Sequence, residues 1–209
     1  MVGTRRGRPT KAEAQELTEA ILSAAAAEFC DRGFDGARMD AIAGAAGITK
    51  RSLYLRFTDK QELFGEVIRH AIARYDDHVL PAEIDSDDLE TALLAMGRVA
   101  LSRAVDPENV RLKRIVMNDP SRFEELSELS NLMLWSSGHG TVVKVLRRHA
   151  AEGSIAFNSV NVAAAQFLVL VEALPSRMAD FGIVRTKRQN ERHLRDAVAL
   201  FLDGVRSRA

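Results

Sequence analysis

Residues 49–60 concentrate side chains that can bind nucleic acid. The segment is T-K-R-S-L-Y-L-R-F-T-D-K, in which the basic residues outnumber a single acid, Asp59. An arginine can donate two parallel hydrogen bonds to guanine, while serine and threonine hydroxyls can serve bases or phosphates. The side chains with this chemistry are Thr49, Lys50, Arg51, Ser52, Tyr54, Arg56 and Lys60.

The pattern around this segment predicts two short helices joined by a tight turn. Residues 39–57 read M-D-A-I-A-G-A-A-G-I-T-K-R-S-L-Y-L-R-F. Gly47 can adopt the left-handed conformation of the turn, Ala43 is small where the helices approach, and Thr49 is a good N-cap. With Ile42, Ile48 and Leu53 as a shared core, this is the pattern of a helix-turn-helix. Ordinary helix packing is the alternative, with Tyr54 as a half-buried ring.

A second basic segment precedes the first helix. Residues 4–11 read T-R-R-G-R-P-T-K and contain Arg5, Arg6, Arg8 and Lys11 but no acid. A glycine lets the backbone lie deep in a narrow groove, and the negative potential of the DNA minor groove attracts arginine. Given the helix-turn-helix, this segment is expected to be a minor-groove arm, and the alternative is a solvated, disordered tail.

The rest of the chain is predicted to be helical. Among 209 residues, Gly (13) and Pro (5) are sparse, and apolar residues repeatedly follow helical spacing. About nine helices and no strand are expected, beginning with one over 17–32 that Gly33 ends. Ser86 or Asp87 is expected to cap a helix near residue 89, and Asn161 to cap a strongly apolar one containing Pro175 as a kink or stop.

The N-terminal quarter resembles the TetR (tetracycline-repressor-like) family of bacterial regulators. The matching residues are Phe29, Gly33, Phe34, Ile42, Ala43, Ala46, Gly47, Ile48, Thr49, Leu53, Tyr54, Phe57, Lys60, Leu63 and Phe64. The resemblance implies that Thr49 to Ser52 begin the helix that enters the major groove, and that Tyr54 and Lys60 contact DNA. There are two departures: Arg38 stands where the family often has Ser or Thr, and Arg51 where it commonly has Gly. Arg38 could still reach a phosphate.

The resemblance also implies an all-α organisation with three parts. These are a basic arm (1–15), a helix-turn-helix DNA-binding domain (16–60) and a helical ligand-binding and dimerisation domain (61–209). The expected function is a ligand-responsive, homodimeric transcriptional regulator, a repressor released from a twofold-symmetric double-stranded operator by a small, mainly hydrophobic effector. A regulator controlled by a protein partner is one alternative. A helical ligand-binding or scaffold protein with a vestigial helix-turn-helix is another.

Two sets of apolar residues are assigned to the C-terminal part. The expected effector pocket comprises Met96, Val99, Leu112, Ile115, Val116, Phe123, Leu132, Trp135, Val143, Phe167, Val171 and Met178. The expected dimer interface comprises Leu168, Leu174, Leu194, Val198, Phe201, Leu202 and Val205. Every member is also a plausible core residue of a single protomer.

Other functional classes find little support in the sequence. No GxSxG, HExxH or phosphate-binding glycine loop occurs, so neither an enzyme nor a cofactor or metal site is expected. The net charge is zero, and the single cysteine, Cys30, excludes an intrachain disulfide and fits a cytoplasmic protein. The most apolar segment, 162–174, is shorter than the ~20 residues that span a bilayer, so no membrane partner is expected.

Overall fold

The computed structural model describes residues 10–76, 81–124, 138–153 and 155–205. Within these ranges the chain forms α-helices and one short 3-10 helix (Ala82–Asp85) and no strand, which confirms the all-helical prediction. The α-helices are α1 (Lys11–Gly36), α2 (Met39–Ala45), α3 (Lys50–Tyr54), α4 (Lys60–Asp76), α5 (Leu89–Ala104), α6 (Pro107–Asn118), α7 (His139–Ala151), α8 (Val160–Asp180) and α9 (Lys187–Val205).

The chain divides into two compact units, residues 1–71 and 72–209. The division falls inside α4, because the first half of α4 packs into the N-terminal core. Leu63 and Phe64 are fully buried, and the Phe64 ring meets that of Phe29 edge-on with centroids 4.9 Å apart.

Helix α1 begins with a capping box and ends around a glycine. The Thr10 hydroxyl accepts the Glu13 backbone N–H at 3.2 Å, and the Glu13 carboxylate accepts the Thr10 N–H at 2.7 Å. Gly33 leaves helical geometry (φ 68°), as predicted for the helix end. Phe34 then folds back so that its ring stacks on Phe29, with centroids 5.9 Å apart.

The C-terminal unit is built on α5, α8 and α9, with α7 packed against them. Phe167 of α8 and Phe201 of α9 meet edge-on at 5.3 Å, among fully buried Leu93 and Leu146. Pro175 lies inside α8 without ending it. By length and composition alone, this helix could cross a membrane, whereas the sequence suggested an apolar segment too short to span a bilayer. Much of the helix is buried in the core of the C-terminal unit.

Two predicted helix caps are wrong by one or two residues. Asp88, and not Ser86 or Asp87, caps α5 by accepting the Thr91 N–H at 3.0 Å. Ser159, and not Asn161, caps α8 by accepting from Val162. In each case several good cap residues stand side by side, and the backbone conformation decides which of them is used.

The residues expected at a dimer interface are mostly buried within the protomer, and their role in an interface stays a prediction. Six of them belong to the buried core of the C-terminal unit, and Leu174 alone is exposed. The buried ones are Leu168, Leu194, Val198, Phe201, Leu202 and Val205. The physical reason is that α8 and α9 pack on α5, so their most apolar faces are already covered.

Candidate nucleic-acid interface

The turn between α2 and α3 is set by backbone hydrogen bonds. Gly47 adopts φ 69°, a conformation that favours glycine, and the Ile48 N–H donates to the Ala43 carbonyl at 2.9 Å. At the other end of α2, Arg38 occupies the N-cap without a side-chain cap bond. Its backbone N–H donates instead to the Glu28 carboxylate at 3.1 Å, so α1 fixes the start of α2 and leaves the exposed Arg38 guanidinium available.

Thr49 and Leu53 hold α3 in place. The Thr49 hydroxyl oxygen accepts the Ser52 backbone N–H at 3.1 Å, confirming the predicted N-cap, and donates to the Ser52 hydroxyl at 3.0 Å. Leu53 is fully buried and anchors the helix to the core. The opposite face of this short helix is therefore presented outward in a defined orientation.

Five of the predicted DNA-binding side chains on or beside α3 are exposed. They are Thr49, Lys50, Arg51, Tyr54 and Arg56. Tyr54 is 43% exposed, which leaves its ring accessible and is also compatible with the half-buried ring of the alternative. The Lys50 ammonium lies 5.9 Å from the centre of the Tyr54 ring, and Arg56 Nη1 donates to the Thr18 hydroxyl at 3.4 Å. The face is cationic and can donate hydrogen bonds to phosphate or base acceptors.

An acidic partner that the sequence analysis missed lies beside this face. Asp40 Oδ1 is 2.7 Å from Lys50 Nζ, and the hydrogen bond and charge of Asp40 raise the pKa of Lys50. Directly after α3, Leu55 is an apolar side chain that is 79% exposed beside this face. Asp40 and Lys50 are ten residues apart on different helices, so no spacing rule for a single helix could pair them.

Lys60 has a structural role that the sequence did not predict. Its ammonium donates to the carbonyls of Asp35 and Ala37, both at 3.1 Å, and lies 4.9 Å from the centre of the Phe34 ring. These contacts supply hydrogen-bond donors and a positive charge to carbonyls at the end of α1. A phosphate contact by Lys60 stays a prediction and would compete with these bonds.

The remaining predicted contacts lie at the edge of the described chain. Arg5, Arg6 and Arg8 fall outside the described residues. Lys11 is the first residue of α1, and its side chain is likewise outside the description. The minor-groove arm therefore stays a prediction.

The predicted effector-pocket residues are core residues where the structure describes them. Met96, Leu112, Val116, Phe123, Val143, Phe167 and Val171 are buried. Val99, Ile115 and Met178 are partly buried, while Leu132 and Trp135 lie outside the described residues. Among the described residues no group of His, Cys, Asp and Glu could hold a metal ion.

Comparison with known proteins identifies both parts of the chain. A family model described as bacterial regulatory proteins of the tetR family matches residues 21–67. A second model, the C-terminal domain of AefR-like transcriptional repressors, matches residues 91–204, which is more than half of the chain.

Individual relatives agree with the family models. The HTH-type transcriptional repressor BepR of Brucella suis is 40% identical over 96 residues, which are 41% of this chain and 46% of that protein. The chain thus spans less than half the length of this curated relative.

Two solved structures cover nearly all of the chain. A TetR-family regulator from Mesorhizobium loti superimposes with a TM-score of 0.85 at 25% identity, over 95% of this chain and 100% of that one. The flavonoid-responsive regulator FrrA superimposes with a TM-score of 0.74 at 28% identity, over 93% and 100%. With a helix-turn-helix that carries an exposed cationic face and a C-terminal part matching an AefR-like repressor domain, this chain belongs to the TetR family of bacterial transcriptional regulators.

Proposed function

We propose that this protein is a homodimeric, cytoplasmic repressor that α3 holds on a twofold-symmetric operator and that a small, mainly hydrophobic effector releases. The observation that carries the DNA-binding part is the outward face of α3. Lys50, Arg51 and Tyr54 are exposed on a helix that the Thr49 cap and buried Leu53 hold fixed. Arg51 stands where a bulky side chain can discriminate between bases, so it is the proposed specificity determinant.

A homodimer follows from the proposed operator symmetry and from an apolar groove on the C-terminal unit. Two recognition helices one DNA turn apart require two protomers. Helices α8 and α9 border a groove of about 950 Å³, in which Val162, Val169 and Leu200 are each more than half exposed. Ala165 and Gly204 also line it, and such small residues permit close helix approach. We assign the dimer interface to this groove, which Phe201 and Val205 of the interface set predicted from the sequence also line.

The effector part rests on the character of the C-terminal unit. Its core is large and almost wholly apolar, and its sequence matches the AefR-like repressor domain. The similar protein FrrA is described as flavonoid-responsive, and we extend to this chain only the expectation of a small, largely apolar ligand. Such a ligand would bind the DNA-incompetent state more tightly and would shift the equilibrium by no more than that difference in affinity.

The DNA-binding proposal is tested by fluorescence anisotropy. The protein is titrated onto duplex DNA from upstream of its own gene and onto a shuffled duplex, at about 0.15 M salt. Specific binding should be ~10³-fold or more tighter than non-specific binding. Arg51→Ala and Tyr54→Ala should remove most of this difference. Arg192→Ala, which deletes an exposed arginine on α9, should not. A specific complex that survives both α3 substitutions would refute the assignment of α3.

The dimer proposal is tested separately by sedimentation equilibrium. Leu200→Glu places a charge in the groove, where Leu200 is 63% exposed in the protomer, and should give monomers. Met117→Glu is the matched control, because Met117 is equally exposed (63%) but lies on α6 outside the groove. A Leu200→Glu protein that remains dimeric would exclude this face as the interface.

A further inference from the structure

The C-terminal unit contains a second cavity, separate from both the dimer groove and the predicted effector pocket. It has a volume of about 260 Å³ and lies between α6, the end of α8, the segment 181–186 and the start of α9. Its apolar walls include Val105, Pro107, Val110, Pro175 and Ala179. At ~30 Å³ per water molecule, the space holds roughly nine water-sized groups, which suits a compact ligand.

Arginine side chains from two different elements line this apolar cavity. Arg114 on α6 and Arg185 before α9 both line it, together with Arg111. Arg114 Nη2 donates to the Ala179 carbonyl at 2.6 Å. Arg185 Nη2 donates to the Gln189 carbonyl at 3.0 Å, and Arg185 Nη1 approaches Met178 Sδ at 3.8 Å.

All these acceptors are neutral, so the two guanidinium charges are not balanced locally. Within the described parts of the chain, neither Arg114 nor Arg185 forms an ion pair with a carboxylate. The acid at the end of α8, Asp180, lies 2.6 Å from Lys113 Nζ and is engaged there. An anion bound between the arginines would supply the missing negative charge, in a partly apolar setting that strengthens the attraction.

Hydrogen bonds at both ends of the segment 181–186 hold this wall in place. Gly182 adopts φ 77°, and the Ile183 N–H donates back to the Met178 carbonyl at 2.9 Å, as in a Schellman motif. At the other end, the Thr186 N–H donates to Gln189 Oε1 at 2.8 Å, and the Gln189 N–H donates to the Thr186 hydroxyl at 3.2 Å. Arg185 is therefore largely positioned before a ligand arrives, which lowers the entropy cost of binding.

We infer that this cavity binds a compact organic carboxylate, with its carboxylate between Arg114 and Arg185 and its apolar body against Val110 and Pro175. The lining favours this class over a sugar phosphate, because it offers apolar contacts and few hydrogen-bonding groups besides the guanidiniums, the Asn190 amide and backbone groups. The proposal does not depend on DNA binding or on the effector pocket. It adds a second ligand site to the C-terminal unit.

The test is isothermal titration calorimetry on the full-length protein without DNA, in about 0.05 M salt. The probes are 3-phenylpropionate and 3-phenylpropionamide, which have nearly the same shape but differ in charge. The acid should bind at least tenfold more tightly than the amide. Arg185→Gln should weaken binding of the acid by about tenfold to a hundredfold, as expected for a hydrogen bond to a charged group.

Three further variants keep the result interpretable. Arg188→Gln removes an exposed arginine of α9 that does not line the cavity, and should leave binding unchanged. Arg114→Gln should weaken binding of the acid as much as Arg185→Gln does. It also removes the hydrogen bond to the Ala179 carbonyl, so the melting temperature of this variant is measured first. Ala179→Leu fills the cavity and should abolish binding while the protein stays folded. Absence of binding by the acid, equal binding of acid and amide, or equal effects of Arg185→Gln and Arg188→Gln would each overturn the proposal.

Discussion

The ion pair between Asp40 and Lys50 predicts that removing an acid will strengthen DNA binding. Asp40 Oδ1 lies 2.7 Å from Lys50 Nζ, and the two side chains are 65% and 58% exposed. Asp40→Asn keeps the volume of the side chain, frees the ammonium and removes a negative charge beside α3. Because exposed ion pairs contribute little to stability, we expect the melting temperature to change only slightly.

The magnitude follows from counterion release. One additional phosphate contact steepens the dependence of log K on log salt by ~0.9. Between 0.2 M and 0.05 M salt, a fourfold change, the variant should therefore gain about 3.5-fold more affinity than the unmodified protein, since 4 raised to the power 0.9 is about 3.5. Lys50→Gln by itself should leave the slope nearly unchanged, because Asp40 already holds the Lys50 ammonium, whereas in the Asp40→Asn background it should remove the added ~0.9.

Anisotropy titrations at four salt concentrations measure these slopes. Asp31→Asn is the matched control, because it removes an exposed acid from α1 that is not paired with Lys50. In the Lys50→Gln background, Asp40→Asn should have little remaining effect, and the double-mutant cycle isolates the coupling. If Asp40→Asn leaves the slope unchanged or lowers affinity in a fully folded protein, Lys50 does not reach a phosphate and the orientation proposed for α3 is wrong.

Three further changes test packing, burial and capping. Gly97→Ala should destabilise the C-terminal unit by about 1 kcal/mol. The added Cβ would clash with buried Leu194, which costs ~1–3 kcal/mol, and this cost exceeds the gain of up to ~1 kcal/mol from the higher helix propensity of alanine. Burial raises the pKa of Glu172 to about 7, although Arg103, 3.0 Å away, opposes the shift. The folded state therefore binds the proton more tightly than the unfolded state, and the free energy of unfolding should fall by up to about 3 kcal/mol as pH rises from about 4.5 to 7. Glu172→Gln should remove this dependence on pH. Thr49→Ala should cost ~1 kcal/mol of stability in the N-terminal unit and should weaken DNA binding.

Thermal and urea unfolding measure the stability changes of all three variants, and each variant has its own control. Gly140→Ala adds a methyl group in the same unit where nothing lies within 4 Å, so it should not destabilise. An equal loss in both glycine variants would exclude the clash as the cause. For Glu172, a pH slope that persists in the glutamine variant would assign it to another group. Thr49→Ser keeps the cap oxygen and should restore most of what Thr49→Ala loses.

The sequence predicted the parts of the site that depend on local structure. The Gly47 turn and the Thr49 cap each involve residues within a few positions of one another, and both occur as expected. Contacts between helices were not accessible in the same way. The Asp40–Lys50 pair and the bonds from Lys60 to the end of α1 join residues 10 to 25 positions apart in the chain, and their geometry depends on how α1 to α4 pack.

The proposed dimer interface shows most clearly why an apolar pattern is insufficient. Helical periodicity identifies which residues of α8 and α9 avoid water, but burial in the same protomer and burial against a second copy have the same apolar signature. The strongest stripe is used inside the protomer, as the complete burial of Leu194 shows. The weaker apolar set that stays exposed, including Val162 and Val169, is what the protomer leaves for the proposed second copy. An interface of this kind has to be inferred from the apolar surface that the protomer's own core leaves uncovered, and that surface is known only once the fold is known.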